Sequence, residues 1–355
     1  MLKTLQAASV LAVAALTLSG CAANEAAPAS DLTGTLNGAG SSAQGSAQEA
    51  WYSAFQTANS GVTINYDPSG SGAGRESFLA GAVEFAGTDS YLKDEELATA
   101  SPLCVAGTGY FEVPVYVSPI AVVINVDGLD KLNLAPATIA GIFKGTITQW
   151  NDAAIAADNP GVKLPALAIT AVHRSDDSGT TKNFSKYLSE TAGDVWDGEV
   201  SDTFPYTAGE GASGTSGVID AVTNGTGTIG YADASKAGDL VSAAIKVGTA
   251  WVEHSAEAAA AILPISKAVE GRDASDMAMD LNRTTTDAGV YPLVLVSYLI
   301  GCNDYEDDAV GVLVQAYASY LTSEEGQAAA AKAAGSAPVN GEVLTKAAAI
   351  TAAIK

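Results

Sequence analysis

Apolar and polar residues alternate through "GVTINYDPSG" (61–70), the period of a half-buried strand, and "AGRESFLAGA" (73–82) then spaces its apolar residues for a helix. "EFAGTDSYL" (84–92) reads as a strand and turn. The β-rich run "VPVYVSPIAVVINV" (113–126) reads as a strand interrupted by Ser-Pro. "APATIAGIFKGTITQWND" (135–152) predicts a helix and turn, "ALAITAVHRS" (166–175) a strand, and "TKNFSKYLSE" (181–190) a helix. "YTAGEGASGTSGV" (206–218) reads as a surface loop entering a helix, and the Ala-rich tail, residues 323–355, reads as helices. Strands alternating with helices predict an α/β protein with a parallel sheet covered on both faces.

The first residues follow another logic. Lys3 precedes an apolar stretch from about Leu5 to Leu18, which ends in "LSGC", Leu18 to Cys21. That is a secretory signal of lipoprotein type, predicting removal of residues 1–20 and lipidation of Cys21. Residues 21–33 then form a solvated tether. No later segment has the roughly 18 continuous apolar residues of a spanning helix, so the expectation is a chain anchored to a membrane rather than crossing it. About 330 residues remain, suited to two domains. In an exported chain, Cys104 and Cys302 form either a disulfide or two separately buried thiols.

Charge narrows the partners. A formal net charge of −23 opposes nucleic acid, which needs a basic surface, and repels small anions at long range. With two histidines and three cysteines, none at ligand spacing, no metal site is expected.

Three glycine- and hydroxyl-rich turns nevertheless look built for an anion. "LNGAGSSAQGSAQEAW" (36–51) places Gly38, Gly40, Ser41 and Ser42 before a helix. "YDPSGSGAGRESFLAG" (66–81) places Ser69 and Ser71 among glycines. "VHRSDDSGTTKNFSKYL" (172–188) sets Arg174 beside Ser178, Gly179 and Thr180 at a third helix start. Free N–H groups at a helix start attract anions, glycine admits close approach, and hydroxyls add donors. Any one such turn reads as ordinary capping; three with an arginine point to convergence on a ligand. "GTGTIG" (225–230) matches a dinucleotide fingerprint, but no helix follows it, so it reads as a tight turn. His173 reads as a structural strand-end residue, and no nucleophile elbow or P-loop appears.

Together, "GAGSS", "GSGAGRESFLAGAVEFAGTDSYL", "IFKGTITQWND", "RSDDSGTT", "GTIGYADASKA" and "YPLVLVSYLI" resemble the phosphate-binding lipoproteins of the ABC-type high-affinity phosphate importer, from about residue 34 to 350. The resemblance implies a two-lobed α/β flytrap fold of the periplasmic-binding-protein kind with two hinge crossings, near residues 116–119 and 288–292. Lobe I would comprise 34–117 and 288–355, and lobe II 118–287. It implies an extracytoplasmic phosphate receptor that serves a membrane permease and its ATPase, with no cofactor and no catalysis. Carried over by position, Ser42 gives a hydroxyl, Ala43 a backbone N–H, and Ser71 a hydroxyl and main-chain donor. Asp89 accepts from the protonated phosphate oxygen. Arg174 gives a guanidinium fork buttressed by Asp176, and Ser178, Gly179 and Thr180 give donors. "GAGSSAQGS" departs from the family, which commonly has an aromatic and prolines there, and this puts wall packing near Ala43 in question. Alternatives are a receptor for another oxyanion, a secreted phosphatase on the same scaffold, or a surface signalling or adhesion role.

Overall fold

The computed structural model describes residues 31–355, so the signal segment, Cys21 and most of the tether lie outside the described residues. The first lobe opens with β1 (Thr33–Gly40), α1 (Gly45–Ala58), β2 (Gly61–Asp67), α2 (Ser71–Leu79), β3 (Phe85–Thr88) and α3 (Asp94–Leu97). The chain then enters the 16-residue strand β4 (Tyr110–Asn125). The second lobe contains β5 (Asn133–Leu134), α4 (Pro136–Lys144), α5 (Ala153–Asp158), β6 (Thr170–Arg174), α6 (Gly179–Thr191) and β7 (Glu210–Ala212). It continues through α7 (Gly214–Asn224), β8 (Thr228–Asp233), β9 (Val241–Ser242), β10 (Ala244–Val247), β11 (Ala250–Val252) and α8 (Ala256–Ala260). The hairpin β12 (Lys267–Ala268) and β13 (Met279–Asp280) precedes β14 (Val294–Cys302), α9 (Asp308–Leu321), α10 (Glu324–Ala334) and α11 (Gly341–Thr351).

Among the described residues, nine strands form one sheet in the order β2-β1-β3-β14-β4-β8-β6-β7, with β9 on β4. The expectation of a parallel sheet is met only inside each lobe. There β1 runs parallel to β2 and β3, and β6 runs parallel to β7 and β8. The strands that join the lobes are antiparallel: β14 pairs with β3 and β4, and β4 pairs with β8. The reason is topological, because a strand returning between lobes runs against the one that went out.

β4 is the shared spine. Its residues 110–119 pair with β14 and its residues 120–125 with β8. Residues 110–124 are all buried, which accounts for the near-continuous apolar run in the sequence. Ser118-Pro119 does not interrupt the strand. Pro119 stands where the partner changes, a place where a missing N–H is tolerated. Helices cover both faces, with a satellite core of Val172, Val218, Val222 and Ala121 beneath α7. The stretch after α8 folds back onto the first lobe, where Glu112 N–H donates to Ser275 at 2.9 Å and Met277 N–H donates to the Glu112 carbonyl at 2.8 Å.

Cys104 and Cys302 are joined in a disulfide across a sequence separation of 198. Closing so long a loop restricts the unfolded chain, which the loop-entropy account values at about 5 kcal/mol. Replacing both cysteines by serine is expected to lower the denaturant midpoint accordingly. Equal midpoints for the two proteins in an equilibrium titration would refute that contribution.

Candidate binding site between the lobes

The first and third turns fold around local hydrogen bonds, and the second is tied to the first. β1 ends at Gly40 (φ 139°), where a Cβ would fall 1.9 Å from the Gly87 carbonyl oxygen, so only glycine fits. Ser41 Oγ then accepts from the N–H groups of Ala43 (3.1 Å) and Gln44 (3.3 Å), a hydroxyl turn that leads into α1. At the second turn Gly70 N–H donates to the Gly40 carbonyl, and Ser71 opens α2. At the third, Ser178 is the N-cap of α6, its hydroxyl accepting from Thr181 N–H at 3.2 Å.

These turns meet at Asp89, at the end of β3 and only 4% exposed. Its Oδ1 accepts from the Ser41 hydroxyl at 2.6 Å and the Ser297 hydroxyl at 2.5 Å. Its Oδ2 accepts from Thr180 Oγ1 of the opposite lobe at 3.0 Å. The Asp89 N–H donates to Ser71 Oγ, and its carbonyl accepts from Asn183 Nδ2. Burial pushes the Asp89 carboxyl up; the Ser297, Ser41 and Thr180 hydroxyls and the Arg174 charge pull it back without cancelling the rise.

Arg174, at the end of β6, is held by Asp176 through a fork. Nε donates to Oδ1 at 2.7 Å, and Nη2 pairs with Oδ2. Burial alone would raise the Asp176 carboxyl, but the hydrogen bonds and charge of Arg174, with Gly214 N–H, hold it below its usual range. Behind Arg174, its N–H donates to Tyr231 Oη, and that ring stacks on Phe184 with centroids 4.1 Å apart. Asp177 is exposed, and its carboxylate takes only the Thr203 hydroxyl among the described bonds. His173 stacks on Phe204 at 4.0 Å, a structural placement.

All the residues expected at the site from position 42 onward therefore lie in one connected cluster. Ser42 bridges the lobes, its Oγ 3.0 Å from Thr215 Oγ1 and accepting from Thr215 N–H at 3.0 Å. Ala43 is fully buried. Gly179 packs so closely that a Cβ would lie 2.7 Å from Ser71 Oγ and 2.8 Å from Asp89 Cβ. Sequence reading placed Ser41 in the first turn without assigning it to Asp89, and it missed Ser297 and the start of α7, where Gly214 N–H reaches Asp176 and Thr215 reaches Ser42. Among the described residues, no group of three or more His, Cys, Asp or Glu side chains is placed to hold a metal ion.

Beside the cluster a buried ion pair spans the cleft. Arg75 Nη2 of α2 donates to Asp202 Oδ2 at 2.7 Å, and Ser90 Oγ donates to Asp202 Oδ1 at 2.7 Å. Asp202 belongs to the second lobe, its carbonyl accepting from Ser178 N–H. Arg75 also has Glu96 within its own lobe at 3.0 Å, with Thr88 and Ser90, so opening would cost it only one of its two ion-pair partners.

The fold and cleft define a two-lobed solute receptor. The chain matches the family described as PBP superfamily domain over residues 25–325 and belongs to it. Within it, the chain belongs to the PstS phosphate-binding proteins. It is 38% identical over 333 residues to phosphate-binding protein PstS 3 of Mycobacterium leprae, 88% of each chain being covered. It is 33% identical over 329 residues to PstS 2 of Mycobacterium tuberculosis, again with 88% of each covered. A solved high-affinity periplasmic phosphate-binding protein (PfluDING) bound with phosphate shares the fold with a TM-score of 0.71 at 22% identity, covering 89% of this chain and 93% of that one. A phosphate-binding protein from Stenotrophomonas maltophilia does so with a TM-score of 0.67 at 20% identity, covering 89% and 93%.

Asp202→Ala removes the acceptor that both Arg75 and Ser90 use across the cleft. The closed arrangement is expected to lose on the order of 3 kcal/mol, and small-angle scattering of the variant should read a larger radius of gyration. A scattering curve unchanged from the parent protein would dismiss this pair as a closing contact.

Proposed function

We propose that this chain is an extracytoplasmic receptor for inorganic phosphate that hands its ligand to the permease and ATPase of an ABC importer. It would be anchored to the membrane by lipidated Cys21 and would catalyse no reaction. The observation that carries the reading is Asp89: a buried carboxylate ringed by hydroxyl donors from both lobes. Oδ1 already has two donors and Oδ2 one, so Oδ2 keeps a lone pair for an incoming proton. Hydrogen phosphate brings that proton; sulfate brings only acceptors and would face the carboxylate unpaired. A site built around one such hydrogen bond rejects an analogue lacking it by roughly 10⁴-fold or more.

Binding would exchange protein–protein hydrogen bonds for protein–anion ones. The Ser42 and Thr180 hydroxyls and the Ala43 N–H would turn from their present partners to the phosphate oxygens, while the Ser71 and Ser178 hydroxyls, which accept in the present arrangement, would donate their protons beside the Gly179 N–H. Arg174 supplies the charge, held in its planar pose by Asp176. Residues 34–117 and 288–355 would form one closing body, carrying with them the stretch around 272–279 that packs on Glu112, and the rest of 118–287 the other, hinged where β4 and the chain before β14 pass between them. A phosphatase would need a metal or an activated nucleophile. Here His173 is stacked on Phe204 and the Ser178 hydroxyl caps its own helix, which supports binding without turnover.

The test is calorimetry on the soluble form beginning just after Cys21, stripped of ligand and titrated with phosphate in a sulfate background. Tight binding indifferent to sulfate is expected, weakened about 100-fold or more by Arg174→Ala. No heat with phosphate, or equal competition by sulfate, means the scaffold serves another oxyanion. Release of phosphate from an aryl phosphate would establish an enzyme instead. Asp89→Asn can donate as well as accept and should bind sulfate measurably; a variant still blind to sulfate would remove Asp89 as the proton reader.

A further inference from the structure

Behind Asp89 runs a buried line of side chains that no anion would touch. Tyr317 Oη of α9 donates to Gln48 Oε1 at 3.0 Å, and Gln48 Nε2 donates to Gln44 Oε1 at 2.8 Å. Gln44 Nε2 donates to Ser297 Oγ at 2.6 Å, and Ser297 donates to Asp89 Oδ1 at 2.5 Å. Tyr317, Gln48, Gln44 and Ser297 are each at most 1% exposed.

The direction of the line is fixed by its partners. Gln44 Nε2 also donates to the Tyr298 carbonyl at 3.0 Å, and a carbonyl can only accept. The Gln44 amide therefore presents its oxygen to Gln48, which must present nitrogen, and so takes the Tyr317 proton on its own oxygen. With its acceptor side occupied by Gln44, the Ser297 hydroxyl points its proton at Asp89. Every donor in the line faces the carboxylate, and bonds so aligned polarise one another in the same sense. The register of β14 against β4 shifts between Ser297 and Tyr298. At that irregularity Gln44 takes up the Tyr298 carbonyl and Gln327 the Val115 carbonyl, so the strand is secured with its serine turned to the site. Gln44 lies in "GAGSSAQGS", the stretch where the likeness to the family breaks.

The geometry points to Tyr317, Gln48, Gln44 and Ser297 as a relay that keeps Asp89 an ionised, acceptor-only group and thereby sets how strongly this receptor excludes proton-free oxyanions. The inference rests on the phosphate reading and adds positioning residues to it. Other groups face Asp89. Arg174 from β6 favours the charged form. Tyr66 from β2 feels the Asp89 charge. Lys182 and Asn183 from α6 and Arg283 after β13 line a cavity of about 60 Å³ with it. Among the described residues, none of these donates to the Asp89 carboxylate oxygens; the side chains that do are Ser41, Ser297 and Thr180.

The sign follows directly. Removing a donor from a carboxylate disfavours its charged form, so Asp89 takes up a proton at higher pH and can then donate to sulfate. Ser297→Ala is expected to raise the pH at which sulfate begins to displace phosphate by about one unit, equal to about tenfold tighter sulfate at a given pH above the Asp89 titration, with the two proteins converging at the acidic end. Ser297→Thr restores the parent profile. Tyr317→Phe keeps the ring and should shift the onset less, in the same direction. Carboxyl carbon resonances of labelled aspartate, followed against pH without ligand, should show the same order for Asp89, so the relay is tested even if phosphate is the wrong ligand. A folded Ser297→Ala protein with the parent Asp89 titration overturns the proposal. So does a shift for Ser297→Ala with none for Tyr317→Phe, which leaves a local contact and no relay. If Ser297→Ala fails to fold, Tyr317→Phe decides alone. Failure of the parent protein to bind phosphate overturns the functional reading instead.

Discussion

A carboxylate in the middle of a protein is tolerated only if hydrogen bonds replace the water it has lost, and most of this architecture can be traced to doing that for Asp89. Three hydroxyls reach its oxygens from separate places: Ser41 from the turn after β1, Ser297 from the crossing strand β14, and Thr180 from α6 in the other lobe. Each must arrive within a few tenths of an ångström. That requirement fixes the register of β14, the docking of the α6 terminus and the glycine at position 179, where no side chain would fit.

The same arrangement reconciles a strongly acidic protein with an anion. The formal charge of −23 opposes approach, and the charge of Arg174 is largely matched by Asp176. What remains to attract is a set of oriented dipoles: hydroxyls, backbone N–H groups and helix starts. Dipoles act at short range and demand correct placement. Attraction is thus confined to a ligand already inside the cleft, where shape and protonation can be judged.

Much of this was readable from residue order, because glycine, serine and threonine before an amphipathic helix carry local information. The positions of Ser71, Arg174 and the Ser178–Thr180 start needed no long-range knowledge, and the apolar run 113–126 announced a strand, though not one that passes unbroken through Ser118-Pro119. What was not readable depended on distant partners. β7 is three residues of glycine-rich chain that becomes a strand because β6 offers an edge. The antiparallel crossing strands follow from how the lobes connect, which periodicity does not encode. Ser297 did leave a signal: the one serine inside "YPLVLVSYLI" had to find a buried partner. Gln44 and Gln48, one turn apart, looked like ordinary helix residues until β14 and α9 were placed against them.

The line from Tyr317 to Asp89 also bears on anyone who would move this site to another scaffold. A transplant made by copying whatever an anion can touch would carry the serines, the threonine, the arginine and the aspartate. It would leave behind two glutamines and a tyrosine from a helix that never meets the cleft. Such a copy would keep the shape of the recognition surface while losing the interior wiring that tells its central residue which proton to expect.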